Sequence, residues 1–480
     1  MRLSRRAIAF ALGVSAFVLL ISTAFAAFDD WGLDVQTQLQ NKSHPLFGVG
    51  QPLTKSSTVD FSPAQGLANP AGLITVAKNL KVSVVSAGPA DNAAPNIDQM
   101  ILWPKSNPTH IIACNEEGRT EPALQKISLA TGQATTIATG IGDCDPVRAT
   151  PWGTVLFGEE GGSTGAMYEL IDPLNVVGAQ IDNVTGVTAA PYANNIRRVN
   201  AFGFISFEGL AVLPNGVTYY GDELGPNDGT PGGAYYKFVP DTAWAGGAPI
   251  TNLSQSPYVS GKVYSLRVGQ DANSGQGDAY GIGTWQLLAS LNSGSSQELR
   301  LLATANNRTG YYRPEDIAID DAALAAGNVR FCGNNTGRDE AHYYGETVCV
   351  TDGSVAQALA NTATPQLQPF GQGSPQLNMP DNIAYQASRG NWLINEDGST
   401  DDNVDGVRND DIWDCLPDGA DDDMLTDGCV RIATLNDLDA ESTGGFFDPT
   451  GKHYYVSIQH NSSGFGTVLD ITGWGSQSQG

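Results

Sequence analysis

The sequence predicts an all-β protein, a β-propeller of about six blades with loop insertions. Three observations carry that prediction. Glycine and proline are abundant, at 56 and 26 of 480 residues, while only 16% of residues are charged. Such a composition suits short strands joined by turns better than helices, which draw on Ala, Leu, Glu and Lys. A weak internal repeat also recurs: an acidic residue, an apolar stretch, a turn, a second apolar stretch, then a polar or acidic pair. Its copies are spread along the chain with further strands between them, and radial repetition of small sheets builds a propeller.

The copies can be followed in order. Asp98 leads through Met100-Ile101-Leu102 and Ile111-Ile112 to Glu116-Glu117. Asp145 leads through Thr150-Pro151-Trp152-Gly153-Thr154 and Val155-Leu156 to Glu159-Glu160. Glu208 leads through Leu210-Ala211-Val212 and the turn Pro214-Asn215-Gly216 to Asp222-Glu223. Glu315-Asp316 leads through Ile317-Ala318-Ile319 to Gly333-Asn334-Asn335, and Asp381-Asn382 through Ile383-Ala384-Tyr385 to Glu396-Asp397. Glu441 leads through Phe446-Phe447 and Pro449-Thr450-Gly451 to Gln459-His460. Leu124–Leu129 and Tyr235–Val239 read as third strands, and the interval Asp241–Gln297 as an insertion plus outer strands. In a blade the first strand runs along the channel and the second returns beside it. The two acidic positions of each repeat therefore meet at one mouth of that channel.

The N-terminus reads as a signal peptide over residues 1–26, leaving 27–480 as a single propeller domain. Arg2, Arg5 and Arg6 precede an apolar run from Ala7 to Ile21, and Ala24-Phe25-Ala26 is an A-x-A cleavage site. Ser4-Arg5-Arg6 with Phe10 partly matches a twin-arginine signal. A periplasmic or secreted location follows, with no membrane attachment after cleavage, and a monomer is expected. Six cysteines in an exported chain imply disulfides. Sequence neighbours pair as Cys114 with Cys144, Cys332 with Cys349 and Cys415 with Cys429.

With 51 acidic residues against 25 basic, the net charge is -26, which excludes nucleic acid as a partner. Crowded carboxylates raise one another's pKa unless cations intervene, and oxygen-only ligands favour Ca²⁺ or Mg²⁺, with flexible acidic loops favouring Ca²⁺. Bound cations would turn the acidic mouth into an anion site, and a phosphate ester is the obvious small-molecule substrate. Arg313, two residues before Glu315, is placed to bind phosphate.

These residues resemble a known family. Thr150-Pro151-Trp152-Gly153-Thr154 running to Glu159-Glu160, Phe207-Glu208-Gly209, Tyr219-Tyr220-Gly221-Asp222-Glu223, Arg313-Pro314-Glu315-Asp316, Pro380-Asp381-Asn382 and Gln459-His460 together resemble the PhoX alkaline phosphatases. The resemblance spans about residues 95 to 475. It implies a propeller, twin-arginine export, and phosphomonoester hydrolysis at a Ca²⁺ and Fe³⁺ cluster. It also implies metal ligands at Glu159, Glu160, Glu208, Asp222, Glu223, Glu315 and Asp381, with Arg313 and Glu315 in catalytic roles. Two departures stand beside it. The family has a cysteine iron ligand shortly before its Thr-Pro-Trp-Gly segment; Cys144 lies near that place but is followed by Asp145-Pro146-Val147 in place of glycines. Two readings of Cys144 stay open, an iron ligand or a disulfide with Cys114. After His460, where the family has Pro-Gly, this chain has Asn461-Ser462.

An acidic insertion at about 396–428 stands apart. Asp401, Asn403 and Asp405 with Gly406 fit the first half of an EF-hand loop, but the twelfth position is Ile412 rather than Glu. A secondary calcium loop closed by Cys415 and Cys429 is expected there. Two rival functions share these features: a calcium-dependent propeller phytase or phosphodiesterase, and a non-catalytic calcium-stabilised binding propeller. The scarcity of basic residues near the motifs favours small monoesters over a highly charged substrate.

Overall fold

The computed structural model describes residue 39 and residues 41–225, 232–269, 280–338, 343–398, 406–419 and 425–475. The signal segment and the calcium-loop residues Asp401, Asn403 and Asp405 lie outside the described residues. Six inner strands surround a central channel: Ile97–Trp103, Cys144–Ala149, Phe207–Val212, Pro314–Ile319, Pro380–Gln386 and Glu441–Phe447. Each touches the next in chain order, and the last returns to touch the first. Over the described residues this is a β-propeller.

Each inner strand begins a blade that grows outward by antiparallel pairing. In the first, His110–Asn115, Leu124–Ser128 and Ala134–Thr139 follow in order. The turns are set locally. Between Phe207–Val212 and Thr218–Asp222, Gly216 takes a φ of 94°, a left-handed value that a side chain disfavours. The interval Asp241–Gln297 supplies the outer strands Ser260–Val268 and Gly281–Asn292 of the third blade. Part of the acidic stretch is blade as well, since Asp411–Cys415 and Cys429–Leu435 are the outer strands of the fifth. The sixth blade is closed by the early strand Lys81–Ala87, which pairs with Thr467–Thr472 near the other end of the chain.

The core has six parts, one in each seam between neighbouring blades. Ile112 and Leu124 meet Val147 and Phe157 in the first seam, and Leu156 and Met167 meet Phe207 and Tyr220 in the next. Tyr219 and Tyr235 pack on Ile317 and Phe331, Phe370 on Trp392 and Trp413, and Leu393 and Val430 on Tyr454 and Val456. The ring ends where Val468 of the sixth blade joins Ile97, Met100 and Ile111 of the first. Period-two alternation in each strand feeds both of its seams, so apolar residues serve both faces of a blade.

The expected disulfides Cys332–Cys349 and Cys415–Cys429 are present, and Cys114–Cys144, one of the two readings open for Cys144, is present as well. Among the described residues no helix is long and apolar enough to cross a membrane.

Candidate active site

A backbone irregularity repeated in every inner strand builds the site. The register with the second strand slips between Ile97 and Met100, Cys144 and Val147, Phe207 and Leu210, Pro314 and Ile317, Pro380 and Ile383, and Thr443 and Phe446. Such a β-bulge frees a residue from the ladder and re-aims its side chain. The first bulged residue is Asp98, Asp145, Glu208, Glu315 or Asp381 in the first five blades and Gly444 in the sixth. All five of those carboxyl groups are buried and lie close enough to act on one another. The sixth blade cannot match them. Gly444 has a φ of 61°, and a Cβ there would strike the Asp98 carbonyl. Its acid, Glu441, enters from three residues earlier and hydrogen-bonds Asp397.

A second tier comes from the ends of the second strands, where alternation sorts adjacent residues. Asn115, Glu159, Asp222, Asn335 and Glu396 pair in register with the inner strands. The next residues, Glu116, Glu160, Glu223, Thr336 and Asp397, turn toward the mouth. Glu160, Glu208, Glu223, Glu315 and Asp381 are thus brought together with Arg313. Glu159 and Asp222 are not. Glu159 accepts from the Gly142 nitrogen at 3.4 Å and the Tyr168 hydroxyl at 3.3 Å. Asp222 is fully buried and held by Arg300 Nη2 at 2.7 Å. Both face the wall behind the mouth, because a strand sends neighbouring side chains to opposite sides. Asp98, Glu116, Asp145, Asp397 and Glu441 join the cluster although the family motifs did not single them out; their place in the repeat was the signal.

Burial and mutual repulsion set the charge of this cluster. Burial, then Asp145 and Glu116, hold Asp98 well above the ordinary carboxyl range. Burial pushes Asp145 up to about 7, and burial with Glu116, Glu223 and Asp145 pushes Glu160 up to about 12. Glu208, Glu315, Asp381 and Glu441 are raised for the same two reasons. Three contacts join carboxyl to carboxyl: Asp145 with Glu208, Glu116 with Glu160, and Asp397 with Glu441. A carboxylate only accepts, so each such bond must hold a proton. Asp98 Oδ1 and Asp145 Oδ1 are buried without a partner.

Arg313 sits in the middle, in a left-handed conformation with φ of 50°. Its Nε donates to Glu223 Oε1 at 2.7 Å, and Nη2 lies 3.2 Å from Glu315 Oε1 and 3.4 Å from Asp397 Oδ2. Burial opposes its charge, but Glu315, Asp397 and Glu223 outweigh that and raise its pKa well above the ordinary value. Thr336 Oγ1 donates to the same oxygen, Glu315 Oε1, at 3.0 Å and helps fix that carboxyl. Beside the mouth, Gln459 Nε2 donates to Glu116 Oε2 at 2.5 Å, while His460 is exposed with a φ of 52°.

Beneath the carboxyl ring the channel is closed. Arg148 donates to Gln99 Oε1 at 2.5 Å, Leu210 O at 3.0 Å, Asp316 Oδ1 at 2.5 Å and Ile317 O at 3.1 Å. One guanidinium from the second blade thus joins the first, third and fourth. Below it opens a cavity of about 290 Å³, lined by Arg148, Asp316 and apolar residues such as Met100, Leu210 and Phe446.

Hard cations suit this donor set. The five bulge acids are buried and the second tier partly so, Asp98 Oδ1 and Asp145 Oδ1 lack partners, and the like-charge crowding needs a counter-charge. Among the described residues no three His, Cys, Asp or Glu side chains are already spaced to hold one ion. The carboxyl groups instead pair with one another and with Arg313. Cys144 is different. It is fully buried and bonded to Cys114, and a half-cystine has no thiolate, so the disulfide reading is the one the structure adopts and the metal-ligand reading is not available to that sulfur.

Pseudomonas fluorescens PhoX in complex with vanadate, a transition state analogue, is similar with a TM-score of 0.61 at 16% identity, covering 89% of this chain and 99% of that one. A gluconolactonase from Xanthomonas campestris reaches a TM-score of 0.42 at 10% identity, covering 84% and 92% of the two chains. No curated protein matches the sequence. The family model described as alkaline phosphatase PhoX matches residues 120–462. That match covers well over half of the sequence and spans five of the carboxyl-bearing strands and Arg313, so the chain belongs to the alkaline phosphatase PhoX family, whose members are phosphoric monoester hydrolases.

Proposed function

We propose that the chain hydrolyses small phosphomonoesters at the acidic mouth, with Arg313 holding the phosphate and the surrounding carboxylates holding calcium ions. The observation that supports this best is the placement of one arginine among buried carboxyl groups drawn from the bulges of separate blades. Asp98, Asp145, Glu208, Glu315 and Asp381 form the deeper ligand set, and Glu116, Glu160, Glu223 and Asp397 the shallower one. When bound, such cations supply positive charge against the phosphate oxygens and relieve the repulsion within the ring. With Glu315 and Asp397 engaged by cations, Arg313 Nη2 would be free to meet a phosphate, while Glu223 Oε1 keeps its hold on Nε. Thr336 keeps Glu315 oriented meanwhile. A thiolate–iron bond at Cys144 is not part of this reading, because the disulfide occupies that sulfur.

Export to the periplasm or the medium fits three disulfides, which persist in oxidising compartments. The test is elemental analysis of the purified mature protein together with hydrolysis of p-nitrophenyl phosphate. Calcium-dependent turnover, lost in Glu315→Ala and Arg313→Ala, is expected. A calcium-loaded protein without turnover at any pH would overturn the reading.

A further inference from the structure

We infer that Arg300 is a positioning residue for the phosphate-binding Arg313, acting through Glu223; this rests on the reading of Arg313 given above. Arg300 opens the short helix Arg300–Ala305, outside the blades and outside every motif of the repeat. Its place is set from both sides. Leu299 is fully buried against Gly203, where a Cβ would strike the leucine side chain, and Glu298 Oε1 accepts from the Arg300 nitrogen at 2.7 Å. From there the guanidinium reaches the end of the third blade's second strand. Nε donates to both oxygens of Asp222 at 2.9 Å, and Nη2 to Asp222 Oδ1 at 2.7 Å.

The same Nη2 also donates to the carbonyl of Glu223 at 2.8 Å. That bond separates the arrangement from an ordinary buried ion pair, because Glu223 is the residue whose carboxylate takes Arg313 Nε at 2.7 Å. The next carbonyl, Leu224 O, accepts from the Arg313 nitrogen at 3.4 Å. One arginine thus grips the main chain of Glu223, and the other is gripped by its side chain. Asp222 extends the clasp: it also accepts from the Ser206 nitrogen at 3.3 Å, and Glu223 N donates to Ser206 O at 3.2 Å. Ser206 stands two residues before Glu208, so the clasp reaches the neighbouring carboxylate as well. Stability alone would be served by an uncharged, well-packed pair at 222 and 300. A guanidinium that splits its donors between a carboxylate and the adjacent main-chain carbonyl fixes the direction in which Glu223 leaves the strand.

The test uses the calcium-loaded mature chain and two variants, because Arg300→Gln alone would strand a buried carboxylate. Arg300→Lys keeps the charge but not the fork; Arg300→Gln with Asp222→Asn keeps shape without charge. In both, KM for p-nitrophenyl phosphate and the inhibition constant of inorganic phosphate should rise together by roughly tenfold, the effect of misaligning one charge-assisted hydrogen bond to the phosphate, with kcat changing less. Combined with Arg313→Ala, either change should add little further. A lowered Tm with unchanged KM would make Arg300 a structural clasp only and overturn the inference, as would an equal effect in the Arg313→Ala background. Should Arg313→Ala itself leave KM and phosphate inhibition as in the wild type, the parent reading of Arg313 fails and positioning fails with it. A clear effect of Arg313→Ala alone, with none from the Arg300 variants, refutes only the positioning.

Discussion

Asp145→Asn should stabilise the calcium-free protein and weaken the calcium-bound one. Asp145 is 2% exposed and its carboxyl is pushed from 3.8 up to about 7, first by burial and then by Glu116 and Asp316. At 1.36 kcal/mol per unit, about three units amount to a penalty on the order of 4 kcal/mol against the calcium-free fold. Below about pH 4 the carboxyl is protonated in both folded and unfolded chains and the penalty is absent. Between about pH 4 and 7, folding must take up a proton that the unfolded chain has already released, so stability falls with rising pH; above about 7 the loss is complete. Asparagine cannot ionise, and it can donate to Glu208 where the aspartate needs a shared proton. Denaturant unfolding with chelator at pH 8 should therefore show the variant more stable by on the order of 4 kcal/mol, and at pH 4 nearly equal to the wild type. Added calcium should reverse the order at pH 8, since a ligand that binds only the folded state stabilises by its affinity and the variant has lost an anionic ligand. A chelated variant no more stable than the wild type at pH 8, or equally improved at pH 4, would refute the argument.

Three further outcomes follow from the same geometry. Replacing Cys114 and Cys144 together by serine should cost about 3 to 4 kcal/mol, given their separation of 30 residues, and leave the metal content unchanged by elemental analysis. Loss of iron in that variant would instead return Cys144 to the ligand set. Arg148→Met should cost about 3 to 5 kcal/mol in denaturant unfolding, because Asp316 is left buried without its cation and the hydrogen bonds that tie three other blades to this guanidinium vanish. Gly209→Ala should cost about 3 kcal/mol or more and lower activity, since a Cβ there would overlap the Ile317 nitrogen and the Asp316 carboxylate beside Glu315.

The blades were legible in the sequence because turns, apolar runs and acidic leaders recur in register with the fold. The pairing of neighbouring cysteines was legible too, as each pair falls on adjacent strands of a blade or seam. Which carboxylate of each pair would face the mouth was not. Glu159-Glu160 and Asp222-Glu223 are adjacent acids, and only the strand's phase decides that Glu160 and Glu223 turn in while their predecessors turn out. A β-bulge shifts that phase by one residue and leaves no composition signal, so the repeat brought the acids to one mouth but could not sort the deep ones from the shallow ones. The sixth blade misled for the same reason: Glu441 looks like a blade leader, yet register gives that place to Gly444. Arg300 was invisible for another reason, because it belongs to no repeat and reaches the site only through tertiary packing.

The sixth blade is stitched from both ends of the chain, Lys81–Ala87 against Thr467–Thr472. A ribosome emits one of these strands almost four hundred residues after the other. Without the later one the sixth blade is incomplete, and the seam where Val468 meets Ile97, Met100 and Ile111 of the first blade cannot be filled. The carboxyl cluster is thus complete only once the ring is closed. Ions that bridge carboxylates from separate blades would act as a latch on the finished ring, and chelation should loosen that seam before any other.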